Sequence, residues 1–360
     1  MSVIEKLIKP HLVKVNTYKS VDPPELLAEK AGIPRDKIIK LNGNENPKEP
    51  SEQIKQAVAS AAFNIYPDPL QRSVRAALSE YTGMSSDYII ASAGSDELID
   101  LLFRLFISEG DKILDFEPTF AMYGFCARIA GGSVTMAPRD ENFDVDIEIT
   151  KNIIDERTKI IFLSSPNNPT GNMANRDQIE ALLKTDLLVV VDEAYFEFCN
   201  TTVADMIPKY ENLVVLRTMS KWAGLAGLRI GYGIMNPKLV NHIIDIKSPY
   251  NLSVASEAAL IAALKETDSL MSEVVKIVGE RERMYKLLQD IDGIHPFPSD
   301  GNFILCGFEE GKAGHVYQGL ANQGIFVRKF DSPRLANHFR ISVGKPDQTD
   351  RLISVIKELV

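Results

Sequence analysis

Three stretches of this sequence place polar residues just after apolar runs, and those residues suit one chemistry. They read SSPNNPTG at 164–171, VVVDEAY at 189–195 and TMSKWAGLAGLR at 218–229. In an α/β chain the carboxyl ends of parallel strands open on one crevice, so Asn168, Asp192, Tyr195, Lys221 and Arg229 can meet there despite their separation in sequence. A lysine amine forms a Schiff base with an aldehyde, a carboxylate keeps a pyridine nitrogen protonated, and an arginine takes a phosphate in a two-pronged hydrogen bond. The set fits pyridoxal 5'-phosphate. Lys221 in that role would also carry a proton once substrate displaces it, and Asn168 and Tyr195 would hydrogen-bond the phenolic oxygen of the cofactor.

A phosphate needs donors, and Gly94-Ser95-Asp96-Glu97 lies between an expected strand and an expected helix, where backbone N–H groups point along the macrodipole. Ser95 can equally be the N-cap of that helix. Thr218, Ser220 and Arg229 add hydroxyl and guanidinium donors, and Phe120 is placed to stack on a flat ring or to fill the core. Arg328 and Arg340 each adjoin an expected strand, and two converging guanidiniums would suit a phosphate monoester or a carboxylate. Asp192-Glu193 has a competing reading as the magnesium ligands of a nucleotide hydrolase. That reading requires a G-x-x-x-x-G-K-[ST] phosphate loop, which the chain lacks.

The elements that must position these residues follow from the pattern of apolar runs. From about Pro67 to Lys247, short β-branched runs alternate with longer amphipathic ones, as in a mostly parallel sheet with helices on both faces. Strands are expected at Tyr88–Ala91, Lys112–Phe116, Lys159–Ser164, Leu187–Val191, Leu213–Arg217 and Arg229–Ile234. Asp96–Ile107 reads as a helix, its leucines on one side and Ser95 as N-cap. The Pro- and Asn-rich segment before Pro67 reads as an arm and loops rather than sheet. A long helical stretch from Val254 to Asp290 then leads into antiparallel-looking strands near Phe303–Cys306, Ile325–Arg328 and Phe339–Val343, and a last helix. The expected organisation is an arm over 1–45, a large domain over 46–247 and a small α+β domain over 248–360.

The 360 residues carry a net charge of −9, with 45% apolar and 25% charged side chains. This is ordinary globular composition, and the acidic balance without any Lys/Arg-rich run argues against nucleic acid as a partner. Cys126, Cys199 and Cys306 are isolated and the five histidines are scattered, so neither a disulfide framework nor a metal site is expected. The opening MSVIEKLIKPHL mixes charges into its apolar residues, unlike a signal peptide, and no apolar run approaches a membrane span. No membrane association and a cytoplasmic location are the expectations.

With these residues in view, the chain resembles the fold-type I aminotransferases over essentially its whole length, and most closely the histidinol-phosphate aminotransferase family. The resemblance rests on LNGNENP at 41–47, YPDP at 66–69, AGSDE at 93–97, EPTFAMY at 117–123, SPYNLS at 248–253 and FRISVG at 339–344, with the three stretches above. It implies a mostly parallel seven-stranded sheet flanked by helices, with a smaller α+β C-terminal domain. It also implies transfer of an amino group between L-glutamate/2-oxoglutarate and imidazole-acetol phosphate/L-histidinol phosphate, in histidine biosynthesis. Lys221 would hold the cofactor aldehyde, Asp192 the pyridinium nitrogen, and Asn168 and Tyr195 the phenolic oxygen. Ser95, Asp96, Glu97, Thr218, Ser220 and Arg229 would hold the cofactor phosphate, Asp96 and Glu97 through their backbone amides. Tyr66 would reach the neighbouring subunit's cofactor phosphate in a homodimer with shared sites, and Arg340, Arg328, Tyr18 and Asn44 would contact substrate. The chain departs from its relatives at Phe120, where they commonly have tyrosine, and around Tyr18, where they often read Pro-Tyr followed by a Pro-Gly turn. An aromatic amino-acid aminotransferase and a phosphothreonine decarboxylase share this pattern, and a catalytically silent cofactor-binding regulator is a further alternative.

Overall fold

The computed structural model describes residues 2–13, 15 and 17–360. The strands in chain order are β1 (Ile39–Leu41), β2 (Ile89–Ser92), β3 (Lys112–Glu117), β4 (Ser133–Pro138), β5 (Thr158–Ser164) and β6 (Leu188–Asp192). They continue with β7 (Leu213–Thr218), β8 (Gly231–Met235), β9 (Ile294–Pro296), β10 (Phe303–Phe308), β11 (Ile325–Lys329) and β12 (His338–Ser342). Seven of them form one sheet in the order β2-β8-β7-β6-β5-β3-β4, and five form a second in the order β1-β11-β12-β10-β9. In the large sheet β3 to β7 run parallel, while β8 is antiparallel to both of its neighbours.

The central strands are apolar over most of their length because both faces of the sheet are covered. Side chains alternate between the faces, so Ile161, Leu163, Val189, Val191 and Val215 enter one core while Ile160, Phe162, Val190, Val214 and Leu216 enter the other. Each expected strand of this sheet is present within two residues of its expected ends. β4 was not anticipated: it is an edge strand of SVTMAP with several partly exposed positions, too weakly apolar to stand out.

The structure corrects four expectations. The segment before Pro67 is not free of sheet: β1 pairs parallel with β11, Ile39 opposite Ile325, and helices form at Val3–Leu7, Pro24–Ala31 and Glu52–Ala59. A three-residue strand has no period to read, and its partner comes from the far end of the chain. The small sheet is therefore mixed, antiparallel apart from that pair. The long helical stretch is two helices, Val254–Lys265 and Thr267–Gln289, meeting at Glu266. Finally, the helix after β2 is Ser95–Phe106, with Gly94 in the N-cap position and no side-chain cap. Gly94 has φ +79°, so Ser95 already belongs to the first turn.

The two sheets are tied together by the segment between β11 and β12. Arg334 donates to the carbonyls of Glu117 (3.2 Å) and Arg139 (2.6 Å) and also to that of Asp140, with its guanidinium 4.8 Å over the Phe143 ring. Ser332 donates to the Glu117 carboxylate at 2.9 Å, and Phe143, Leu305 and Leu335 form a small core beside these contacts.

A buried ion pair lies on the face of β7 that carries Val215. Arg217 Nη2 is 2.9 Å from Glu193 Oε2, and its guanidinium stacks 3.6 Å over Phe196. Burial pushes the nearby Glu197 up to about 7 even with this cation present. Replacing Arg217 by Met removes the cation and leaves buried carboxylates, which should lower unfolding stability by about 3–5 kcal/mol in urea titrations at neutral pH. Losing the cation raises the Glu197 carboxyl further above about 7, so the variant takes up its proton at a higher pH than the parent and the deficit should shrink as pH falls from the alkaline side toward about 7. A deficit constant with pH would rule out the electrostatic origin.

Candidate active site

β5, β6 and β7 lie side by side and end at Ser164, Asp192 and Thr218, and the chain leaving each end turns into the same cavity of about 460 Å³. Asn168, Asp192, Tyr195, Thr218, Ser220 and Lys221 all line it. From other elements come Ser95, Asp96, Phe120 and Arg229, and on the small-sheet side Tyr18, Asn44, Arg328 and Arg340. Among the residues named from sequence, Glu97 and Tyr66 lie outside the lining.

Lys221 points its Nζ at the Gly43 carbonyl, 3.2 Å away. Burial, with help from the Arg340 cation, lowers its amine to about 8. Asp192 closes β6 with both oxygens in use: Oδ1 accepts from the Ala194 N–H at 3.0 Å and Oδ2 from the Tyr123 hydroxyl at 2.6 Å. Burial raises its carboxyl to about 6, against the pull of those two donors. A cation set against Asp192 would reverse this rise. The Tyr195 hydroxyl accepts from Asn44 Nδ2 at 2.9 Å, and Asn44 is fixed in turn by Ser342 and by its own left-handed backbone.

The corner beside Arg229 is built largely from backbone. No side chain caps the helix Ser95–Phe106; the Glu97 N–H reaches back to the Gly94 carbonyl at 3.3 Å, and the N–H groups of Ser95 and Asp96 ahead of it are left for a ligand. A Cβ on Gly94 would sit 2.4 Å from Arg229 Nη2, and one on Gly231 would sit 2.3 Å from the Ser95 nitrogen, so both glycines are needed for the close approach. Arg229 donates to Asp96 at 3.0 Å, and Thr218 and Ser220 join their hydroxyls at 2.9 Å. Glu97 turns away: its carboxylate accepts from the Ala93 N–H at 2.6 Å and from Asn251 at 2.8 Å, bracing the turn from behind.

Arg328 and Arg340 are opposite one another across the β11–β12 ladder, a pairing that their distance in sequence conceals. Arg340 is buried, donates to the Asn42 carbonyl at 2.9 Å and to Asn168 Oδ1, and keeps Nε without a partner. Arg328 donates to the Lys19 carbonyl at 2.7 Å. Tyr18 lies edge-on to Phe120, 6.3 Å between ring centres, and burial raises its phenol. Tyr66 is exposed and stacks on Tyr250 at 4.4 Å.

These geometries can be set beside known proteins. Residues 36–356 match the family model for aminotransferase class I and II. The chain belongs to this family. Among these aminotransferases it is 44% identical to a histidinol-phosphate aminotransferase of Roseiflexus castenholzii, an alignment covering 99% of each chain. It is 42% identical to the chloroplastic histidinol-phosphate aminotransferase of Nicotiana tabacum, over 98% of this chain and 86% of that one. Its fold matches the crystal structure of histidinol-phosphate aminotransferase from Sinorhizobium meliloti in complex with pyridoxal-5'-phosphate, with TM-score 0.89 and 26% identity over 98% of this chain and 97% of that one.

An aminotransferase of this family uses pyridoxal 5'-phosphate, and the residues present fit that group. The uncapped start of the helix Ser95–Phe106 borders the cavity beside Arg229, Asp192 faces the same cavity, and Lys221 supplies an amine that burial holds toward neutrality. Sequence reasoning missed Tyr123, which EPTFAMY contains but which reads as an ordinary core aromatic, and Gly43, whose part is played by a carbonyl that side-chain types cannot reveal.

The lowered amine has a direct check. In cofactor-free protein, acylation of Lys221 followed by mass spectrometry against pH should reach half its maximal rate near pH 8, well below the surface lysines. Arg340→Gln should move that midpoint upward, since the guanidinium is one of its causes. A Lys221 that titrates with the surface lysines would contradict this electrostatic account.

Proposed function

We propose that this chain is a pyridoxal 5'-phosphate-dependent histidinol-phosphate aminotransferase. The observation that carries the reading is the opposed pair Arg328 and Arg340 at the mouth of a cavity floored by Lys221 and Asp192. The curated relatives, similar over nearly the whole chain, carry this name. In the reaction L-glutamate gives up its amino group and leaves as 2-oxoglutarate, and imidazole-acetol phosphate takes the group to become L-histidinol phosphate.

When bound, the cofactor holds the amino group between the two half-reactions and withdraws electrons from the amino-bearing carbon. Asp192 keeps a positive charge on the ring nitrogen, and Tyr195 and Asn168 donate to the phenolic oxygen. Ser95, Asp96, Glu97, Thr218, Ser220 and Arg229 hold the phosphate, Asp96 and Glu97 by their backbone N–H groups. Phe120 covers one face of the ring. Lys221 Nζ removes the proton from the amino-bearing carbon and returns it, a task suited to an amine lowered to about 8. Arg340 and Arg328, with Tyr18 and Asn44 beside them, take the anionic end of each substrate, the γ- or α-carboxylate of glutamate in one half-reaction and the phosphate of histidinol phosphate in the other.

The same reading makes the enzyme a homodimer in which Tyr66, exposed on its loop, reaches the partner's cofactor phosphate. It divides the chain into an arm over 1–45, a large domain over 46–247 and a small domain over 248–360. Its three free cysteines suit the reducing cytoplasm. The hydrolase alternative loses its second acid, because Glu193 is taken up by Arg217 in the buried ion pair.

Purified protein mixed with L-histidinol phosphate and no keto acid should form one equivalent of imidazole-acetol phosphate per site, with a change in the cofactor absorbance that 2-oxoglutarate reverses. Conversion with phenylalanine alone, or release of carbon dioxide from phosphothreonine, would overturn the named substrate. Lys221→Ala should lower the rate by about 10³-fold or more. Arg328→Gln should raise KM for histidinol phosphate by about 10-fold or more with a smaller change in kcat.

A further inference from the structure

The residue that contacts Asp192 from below has no place in the reading above. Tyr123 is fully buried in the helix Met122–Ala130. Its ring stacks on Phe162 at 4.7 Å and meets the edge of Phe120 at 5.5 Å, which fixes where the hydroxyl points. That hydroxyl lies 2.6 Å from Asp192 Oδ2. Burial raises the phenol far above its ordinary range, so it stays protonated and acts as the donor. The charged groups around Asp192 oppose its ionisation: Asp96 from the helix Ser95–Phe106 and Glu193 from its own strand end both push the carboxyl up, in the same direction as burial. Only the Tyr123 hydroxyl and the Ala194 N–H favour the carboxylate. Without the phenol, the balance would tip toward a neutral acid.

We propose that Tyr123 is a positioning residue that acts through Asp192: its hydroxyl holds Asp192 as a carboxylate turned into the cavity, so that the proton shared with a cofactor ring nitrogen rests on the nitrogen. This rests on the reading that the ring nitrogen seats against Asp192. A hydrogen bond to the charged form favours that form, and a buried carboxylate gains more from it than an exposed one. The stack on Phe162 supplies the rigidity, because a tyrosine free to rotate would share its hydrogen bond with other orientations.

The test is Tyr123→Phe, which keeps the ring between Phe162 and Phe120 and removes one oxygen. In the cofactor-free protein, ¹³C NMR of Asp192 should show its titration moved up from about 6, by about one pH unit or more. In the holoenzyme, ¹⁵N NMR of the pyridine nitrogen should move toward the unprotonated position. In an Asp192→Asn background, Tyr123→Phe should cause no further ¹⁵N change. Incorporation of 3-fluorotyrosine at 123, a stronger donor of nearly the same shape, should move both readouts the opposite way. If Asp192→Asn shifts the ¹⁵N signal while Tyr123→Phe leaves both readouts unmoved, Tyr123 is packing alone and the proposal fails. If Asp192→Asn leaves the ¹⁵N signal unmoved, the seat of the ring nitrogen is elsewhere and the underlying reading fails with it.

Discussion

The site depends on keeping an amine and several carboxylates in one cavity without letting them neutralise one another. Lys221 is surrounded by Glu45, Asp96 and Asp192, and in a water-poor pocket any of them would pair strongly with it. Each is already engaged. Glu45 is held by Lys40 at 2.5 Å, Asp96 by Arg229 at 3.0 Å, and Asp192 by the Tyr123 hydroxyl and the Ala194 N–H. The amine is left with a carbonyl, Gly43, and with a guanidinium, Arg340, that discourages its charge. Burial lowers the amine most, and the pairing of Glu45 and Asp96 with other cations limits how far those acids pull it back up.

That pairing is divided between the two sheets. The acid and amine follow the ends of β6 and β7 in the large sheet, while Arg340 lies on β12 of the small one and its cross-strand neighbour Arg328 on β11. The electrostatics of Lys221 and the two cavity-lining guanidiniums therefore depend on how the small sheet is seated. The seat is set by the β11–β12 connection, where Arg334 donates to three carbonyls of the large-sheet side and Ser332 to Glu117. The connection joins the strands that carry the two arginines, so a shift there would move both and alter the field at the amine.

How much of this could be read from sequence varied with the range of the interaction that decides each feature. Strands such as KIIFLS and LVVVD are locally unambiguous, and the residues that follow them were legible because parallel strands have only one end at which to place a site. β1 and β9 were hidden because three residues carry no period, and their existence is decided by partners elsewhere in the chain. The opposition of Arg328 and Arg340 is a matter of register, which composition does not encode. Tyr123 was hidden for a different reason. A buried aromatic next to a glycine in an amphipathic helix is ordinary core, and only its 2.6 Å contact with Asp192 distinguishes it. Gly43 acts through its backbone, where side-chain identity says nothing.

Ser95 shows how a local rule gives way where function needs it. A serine at the start of an amphipathic helix is read as its N-cap, and elsewhere in this chain that rule holds: Ser51, Asp146, Asn175 and Ser253 each accept from the first turn of their helix. At Ser95–Phe106 the chain enters through Gly94 at a positive φ of +79°, Ser95 is already inside the helix, and no side chain caps the first turn. With glycine in the N-cap position the helix start is less stable than one capped by serine or aspartate by only roughly a few tenths of a kcal/mol. The same omission leaves the Ser95 and Asp96 N–H groups uncapped at the positive end of the helix dipole beside Arg229, an arrangement that favours an anion. A capping side chain would have occupied those donors permanently. Glycine at the N-cap leaves the Ser95 and Asp96 N–H groups free of any capping side chain, so the local rule gives way at a helix start that lines the cavity, as the proposed function would require.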